Sequence, residues 1–310
     1  MHPWNQPTLD AFAARLPRLP HAILIYGPRG VGKLALAERA AQMLLCEGKG
    51  KPCDQCDACR WYKAGNHPDF RRLEPEVLWK EPAADEEPAA KRPKQPSIEI
   101  KVDQVRELAN FLYVRSHRGA LRVAMVHPAE DMNENAANAL LKGLEEPPAG
   151  AVFILVSHRP AQLLPTIRSR CVALPVGIPP REAALAWLSS QGLADAPRWL
   201  AYAGGAPLRA LDYAAQGKVD LAPVADREGL EPLAEALQKL AIDKALLAFG
   251  LPAKYQTTSA KPHSARDWLA FARRMGEDRL LCRHPLNPRL FSAAMLAAVP
   301  NEKRGDSGAG

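Results

Sequence analysis

Nowhere do 18 or more apolar residues run together, so no membrane helix is expected. The start, Met1-His2-Pro3-Trp4-Asn5-Gln6, lacks the basic-then-apolar pattern of a secretory leader, and a cytoplasmic chain is the expectation. No internal repeat is visible. Cysteine is scarce outside one stretch: of six, four lie between Cys46 and Cys59, while Cys171 and Cys282 stand alone. In a reducing compartment such crowding favours a metal over disulfides. What is present is globular material, 47% hydrophobic and 24% charged over 310 residues. That is too long for a disulfide-stapled miniprotein and suits roughly two domains of about 150 residues. Proline, with 29 copies, is the one excess, and Lys plus Arg exceed Asp plus Glu by 41 to 34. The resulting +7 reads either as a bias toward polyanionic partners or as an ordinary basic surface.

The first strong strand is Ala22 to Tyr26, an apolar run that ends in Gly27-Pro28-Arg29-Gly30-Val31-Gly32 and gives way to a helix over Lys33 to Leu45. Further strands are expected at 69–73, 121–126, 152–156 and 171–174, with helices over 102–114 and 135–144 between them. Strands alternating with helices predict an α/β fold with a mainly parallel sheet covered on both faces. Residues 74–97 break the pattern with Pro, Ala and cancelling charges, which predicts a flexible surface insertion. Beyond Pro179-Pro180 only helical stretches follow: 181–191, 196–203, 208–215, 230–249, 265–275 and 288–298. The tail over 301–310 should fray.

Gly27 to Leu34 matches the phosphate-cradling loop G-x-x-x-x-G-K-S/T at all but its last position. Gly27, Gly30 and Gly32 let backbone N–H groups turn inward, the helix start adds its positive dipole end, and Lys33 supplies a point charge. The final residue should be a hydroxyl that holds magnesium, and Leu34 has none. ATP binding and a glycine turn that only keeps the architecture are therefore equal readings. A second strand should end in an aspartate for magnesium and a glutamate for water. Here Leu121 to Val126 runs into His127-Pro128-Ala129-Glu130-Asp131, with no carboxylate at either place. Glu130 and Asp131 read more simply as an acidic pair at a helix N-terminus than as displaced substitutes. Losing all three groups should cost many factors of ten in hydrolysis, at about 1.4 kcal/mol per factor.

Cys46, Cys53, Cys56 and Cys59 follow C-x6-C-x2-C-x2-C, and two successive C-x2-C steps let one loop wrap thiolates around a tetrahedral ion. A filled four-sulfur shell makes a structural zinc site, and Lys49, Lys51, Arg60 and Lys63 are placed to offset its charge. An iron–sulfur cluster is the rival group. His67 suits either a substitute ligand or a hydrogen-bonded structural histidine.

Asn138-Ala139-Leu140-Leu141-Lys142-Gly143-Leu144-Glu145-Glu146-Pro147-Pro148, then Phe153 to Ser157, then Leu164-Pro165-Thr166-Ile167-Arg168-Ser169-Arg170-Cys171, closely resemble the clamp-loader branch of the AAA+ proteins. The resemblance covers roughly residues 20 to 215; the rest matches only in being helical. It implies an AAA+ α/β domain over 1–177 with a zinc module at 46–59, a helical lid over 178–222 and a helical collar over 223–300. It also implies a bacterial DNA polymerase III clamp loader in which this chain hydrolyses nothing itself. Its partners would be ATPase subunits of the gamma or tau type and a delta subunit, with the sliding clamp and primed DNA reached through the complex. In that family the Ser-Arg-Cys triplet supplies an arginine finger in trans, which falls on Arg170; a guanidinium suits charge building on a neighbour's γ-phosphate. Ser157 falls near the nucleotide-sensing strand end. Leu208 falls where an active relative carries a sensor arginine, with Arg209 adjacent. Exposed Asn138, Lys142, Glu145 and Glu146 would be contact candidates, and Arg115, His117, Arg118 and Arg122 form a basic cluster that either faces DNA or is simply solvated. Two rivals are a self-sufficient gamma-type ATPase, opposed by Leu34, His127 and Pro128, and a zinc-dependent single-strand DNA-binding module, for which Trp61 and Tyr62 are thin stacking support.

Overall fold

A computed structural model describes residues 1–79, 96–113, 121–217, 221–258, 262, 264–282 and 284–300. The chain forms two compact units, Met1–Ile178 and Pro179–Gly310. In the first, five strands form one sheet: β1 (Ala22–Tyr26), β2 (Phe70–Leu73), β3 (Arg122–Val126), β4 (Ala151–Ser157) and β5 (Val172–Pro175). Their order is β2-β3-β4-β1-β5 and every pairing is parallel. Each run expected as a strand is one, within a residue or so at its ends.

Six helices serve this sheet: α1 (Gln6–Ala13), α2 (Lys33–Leu45), α3 (Asp57–Lys63), α4 (Val102–Tyr113), α5 (Glu134–Glu145) and α6 (Pro165–Ser169). Side chains alternate along a strand. Ala22 and Leu24, Ala124 and Val126, and Phe153 and Leu155 therefore share one face, where they pack with Val105, Leu108 and Leu112 of α4 and Leu140 and Leu144 of α5. The intervening Ile23, Ile25, Val123, Met125, Ile154 and Val156 are equally buried on the opposite face, the side taken by α2 with Leu36, Ala37 and Ala40. Burial on both sides is why these strands read as continuous apolar runs. The helices α1 and α3 were not expected; each is short, and α1 buries only Leu9 and Phe12.

In the second unit every regular element among the described residues is a helix. The helices α7 (Arg181–Ser190), α8 (Ala196–Tyr202) and α9 (Pro207–Gln216) share one apolar cluster around Leu188, Leu200 and Ala210. Those numbered α10 (Leu230–Ala248), α11 (Ala265–Leu281) and α12 (Pro288–Ala297) share another around Leu237, Phe271 and Met275. One boundary is corrected. Helix α11 does not stop at Met275 but runs through Gly276 to Leu281. A Cβ at Gly276 would stand 2.9 Å from Gln238 Nε2, the mobile end of a side chain on α10.

The expected insertion is ordered at its edges. Glu76–Leu78 form a 3-10 turn, and the buried Glu76 carboxylate accepts from Ser97 N at 2.8 Å and pairs with Lys101 Nζ at 2.9 Å. Its middle, residues 80–95, and the tail, 301–310, lie outside the described residues.

Candidate nucleotide-binding edge, cysteine cluster and paired arginines

Parallel strands place all their C-terminal ends on one edge of the sheet. The loop from Gly27 to Lys33 leaves β1 there, and Gly27 N donates to Ser157 O at the end of β4, 3.3 Å away. Gly27 has φ 152°, and a Cβ there would lie 2.0 Å from Val176 O, so the approach of the chain after β5 requires glycine. Gly30 and Gly32 both have φ 83°, the left-handed region, and Gly32 caps α2. Lys33 opens α2 and is only 2% exposed. Its Nζ donates to Gly27 O at 2.8 Å and Pro28 O at 2.5 Å. Burial lowers its pKa to about 8, with the Glu130 carboxylate opposing that shift and Arg29 adding to it. Leu34, half-buried, offers no hydroxyl.

The N-terminal turn seats on this loop, which sequence reasoning missed. Trp4 Nε1 and Asn5 Nδ2 both donate to Val31 O at 3.0 Å, and Asn5 Nδ2 also reaches Gly32 O at 3.2 Å. Beside the loop, His127 follows β3 and His158 follows β4, with ring centroids 5.4 Å apart and nearly perpendicular. Burial holds both imidazoles neutral, lowering His127 to about 4 and His158 further, and the cations Lys33 and Arg29 act in the same direction. Each buried Nδ1, and Glu130 Oε2, lacks a hydrogen-bond partner among the described residues. Neutral imidazoles among cations do not replace a magnesium-binding carboxylate.

Glu130 and Asp131 form the expected acidic pair in the first turn of a helical element, a short one. They sit on a 3-10 turn, Ala129–Asp131, ahead of α5, whose cap is Asn133 with Oδ1 accepting from Ala136 N at 2.9 Å. An Asn side chain supplies that cap better than a carboxylate further upstream. Glu130 Oε1 instead accepts from His158 N at 2.9 Å. Its charge also acts on Lys33, opposing the effect of burial there. Ser157 is fully buried, and its Oγ accepts from Arg159 N at 3.2 Å.

In the cysteine stretch, Cys46 closes α2 and Cys56 caps α3, its sulfur accepting from Cys59 N. One sulfur of each of Cys46, Cys53, Cys56 and Cys59 lies within 4.8 Å of the others, and Cys46 and Cys56 are 3.9 Å apart. Sulfurs about 2.3 Å from a tetrahedral zinc would stand about 3.8 Å apart, so a small contraction fits a single ion. Backbone N–H groups already point at these sulfurs: Cys53 N at 3.3 Å and Gly48 N at 3.4 Å from Cys46, and Cys56 N at 3.4 Å from Cys53. Such donors favour thiolate, and those of Gln55 and Cys56 lower the Cys53 pKa to about 6. The cluster can hold a metal ion.

Asp54, overlooked in the sequence, docks this loop on α2. Its carboxylate takes Arg39 bidentately at 2.7 and 2.8 Å, Gln42 Nε2 at 2.9 Å and Lys63 Nζ at 3.1 Å. Lys63 is thus engaged by a carboxylate, as Arg60 is by Asp57 at 2.5 Å. His67 stands apart from the sulfurs as a buried acceptor for Asp69 N at 3.1 Å.

Arg170 follows α6. Its Nη2 pairs with Glu145 Oε1 at 2.7 Å and its Nη1 donates to Thr166 O at 2.9 Å. Asn138, Lys142, Glu145 and Glu146 are exposed on or just after α5. The proposed basic cluster is corrected at Arg122, which is 5% exposed, stacks on Phe111 at 4.6 Å and faces Asp69 at 3.7 Å. Its place in the all-buried strand β3 excludes a solvated or DNA-facing role. Arg115, His117 and Arg118 lie outside the described residues.

Arg209 of α9 is bound inward. It pairs with Glu235 of α10 at 2.6 Å and also meets Tyr213 OH. Glu235 further accepts from Tyr213 OH at 2.7 Å and pairs with Lys239 at 2.9 Å, while Lys239 lies 4.1 Å from the ring centroids of Tyr202 and Tyr213. Burial works against the Glu235 carboxylate, but Arg209 and Lys239 outweigh it and hold its pKa down to about 2. Among the described residues no helix is long and apolar enough to cross a membrane.

The family described as DNA polymerase III, delta subunit, matches residues 9–178. The DNA polymerase III subunit delta' of Pseudomonas aeruginosa is 42% identical over 224 residues, which is 70% of this chain and 62% of that protein. The Escherichia coli subunit of the same name is 34% identical, over 61% of this chain and 53% of its own length. The match thus spans little more than half to three-fifths of these relatives. A DNA polymerase III gamma subunit-related protein from Thermotoga maritima superimposes with a TM-score of 0.48 at 19% identity, covering 94% of this chain and 97% of that one.

Proposed function

Since the chain belongs to the DNA polymerase III delta-subunit family, with 170 matched residues between 9 and 178, we propose that it acts as a delta-prime-type subunit of a clamp loader. In this reading it helps ATP-driven loading of a sliding clamp on primed DNA and hydrolyses no ATP itself. Its neighbours are gamma or tau ATPase subunits and a delta subunit, in the cytoplasm. The chain is read as an AAA+ domain over 1–177, a lid over 178–222 and a collar over 223–300.

The observation that carries the non-catalytic role is the edge around Lys33. A phosphate loop with its lysine in place is followed by Leu34 where magnesium needs a hydroxyl, and by His127 and Pro128 where it needs carboxylates. With three contributions to the barrier missing, Gly27, Gly30, Gly32 and Lys33 retain at most the capacity to hold nucleotide phosphates. The active contribution is made outward. Arg170, always charged and rich in N–H donors, stabilises charge developing on the γ-phosphate held by an adjoining subunit.

Zinc is the ion for Cys46, Cys53, Cys56 and Cys59. Four thiolates fill a tetrahedral shell and leave no position for substrate, so the metal supplies a cross-link and no chemistry. Under reducing, chelator-free purification, metal analysis should return one zinc per chain; none would reject the site.

The deciding experiment is reconstitution with gamma or tau, delta and clamp, omitting or including this chain. Clamp loading on primed DNA should require it. Steady ATP turnover by the isolated chain, abolished by Lys33→Ala, would replace this reading with that of a self-sufficient ATPase.

A further inference from the structure

The end of α5 presents an electrostatic oddity. A helix C-terminus carries partial negative charge, so carboxylates there are locally unfavourable. Glu145 and Glu146 nonetheless end this helix, immediately before Pro147-Pro148, and both are exposed. Glu146 is the C-cap residue through its backbone, its N donating to Lys142 O at 3.1 Å. Glu145 has a different occupation: its Oε1 lies 2.7 Å from Arg170 Nη2.

Arg170 itself is held from two elements. Thr166 O of α6 takes Nη1 at 2.9 Å, Ser169 Oγ lies 3.5 Å from the same nitrogen, and Glu145 of α5 takes Nη2. The Thr166 contact lies within one turn of its own chain and travels with the arginine. Among the described residues, the Glu145 contact alone ties the guanidinium to a different helix. Both side chains are substantially exposed, 35% for Arg170 and 48% for Glu145, so water screens the pair. Exposed pairs of this kind shift an equilibrium by no more than about fivefold. A phosphate bearing several negative charges can therefore displace the carboxylate at small cost.

We propose that Glu145 is a positioning residue for Arg170. It orients the guanidinium across the corner between α5 and α6 while the subunit is unengaged, and it yields Nη2 to a nucleoside triphosphate's γ-phosphate presented by a neighbouring subunit. This rests on the reading of Arg170 as a finger acting in trans. Glu145 touches no reacting atom; its effect passes through Arg170 alone.

The test uses the reconstituted loader with clamp and primed DNA, assembled from full chains, with kcat and KM for ATP measured separately. Arg170→Ala is expected to lower kcat at least tenfold. Glu145→Gln should lower kcat about two- to fivefold with KM unchanged, and Glu145→Asp should recover part of the loss. In the Arg170→Ala background, Glu145→Gln should have no further effect. Wild-type kcat in Glu145→Gln, beside a clear loss in Arg170→Ala, would overturn the positioning role and leave the finger intact. Equal fractional losses from Glu145→Gln in both backgrounds would overturn it too, because the glutamate would then act independently. An unchanged rate in Arg170→Ala would overturn the finger, and the positioning role with it.

Discussion

Two arginines in this chain each meet a glutamate at nearly the same distance, Arg170 with Glu145 at 2.7 Å and Arg209 with Glu235 at 2.6 Å. Their surroundings differ in every other respect. The Glu145 side chain is half exposed and has one cationic partner among the described residues, whereas that of Glu235 is 10% exposed and is shared by Arg209, Tyr213, Lys239 and Arg279. Distance alone therefore says little about how firmly an ion pair holds. A solvated pair can be exchanged at small cost; a desolvated network with several donors cannot lose one member without stranding the rest. The first arrangement suits a side chain that must change partners. The second fixes α9 against α10, and it occupies the arginine next to the expected sensor position in a purely internal task.

The contrast can be broken by truncation. Glu235→Ala leaves Arg209 and Lys239 buried without their carboxylate and should cost about 3–5 kcal/mol in urea unfolding of the second unit. A loss under about 1 kcal/mol would put this network on the same footing as a surface pair. Acid should weaken the Glu235 network next. The folded-state pKa of Glu235 is depressed from 4.5 to about 2, so its contribution is complete above pH 4.5 and fades as pH falls toward 2. Glu235→Gln should flatten the fall in stability over that window. An unaltered acid profile in Glu235→Gln would count against the network. Asn133→Ala offers an intermediate scale: it removes one cap from α5 and should cost about 1 kcal/mol in the same unfolding measurement. Glu145→Ala should be smallest, within about 1 kcal/mol, with the thermal midpoint nearly unmoved. A loss as large as that of Glu235→Ala would show that the exposed pair is not exchangeable.

How much of this was readable beforehand follows from the range of each interaction. The five strands were legible because apolar runs bounded by Gly and Pro are local signals, and the phosphate loop and the cysteine spacing are local too. The missing hydroxyl at Leu34 and the missing carboxylates at His127 and Pro128 could be read directly. Partnerships across the chain could not. Arg39 and Asp54 are 15 residues apart, Arg209 and Glu235 are 26 apart, and nothing in either neighbourhood marks the other. Arg122 misled for the same reason: beside Arg115, His117 and Arg118 it looked like part of a surface patch, while its strand carries it into the interior. His158 escaped notice because its significance depends on β3 and β4 ending side by side.

That side-by-side ending has an evolutionary meaning. His127 and His158, beside the glycine loop, each sit one step beyond the last residue of a buried strand, Val126 and Ser157. Exchanging them alters no apolar layer and no ladder of the sheet. The scaffold and the side-chain chemistry of this edge can thus vary separately.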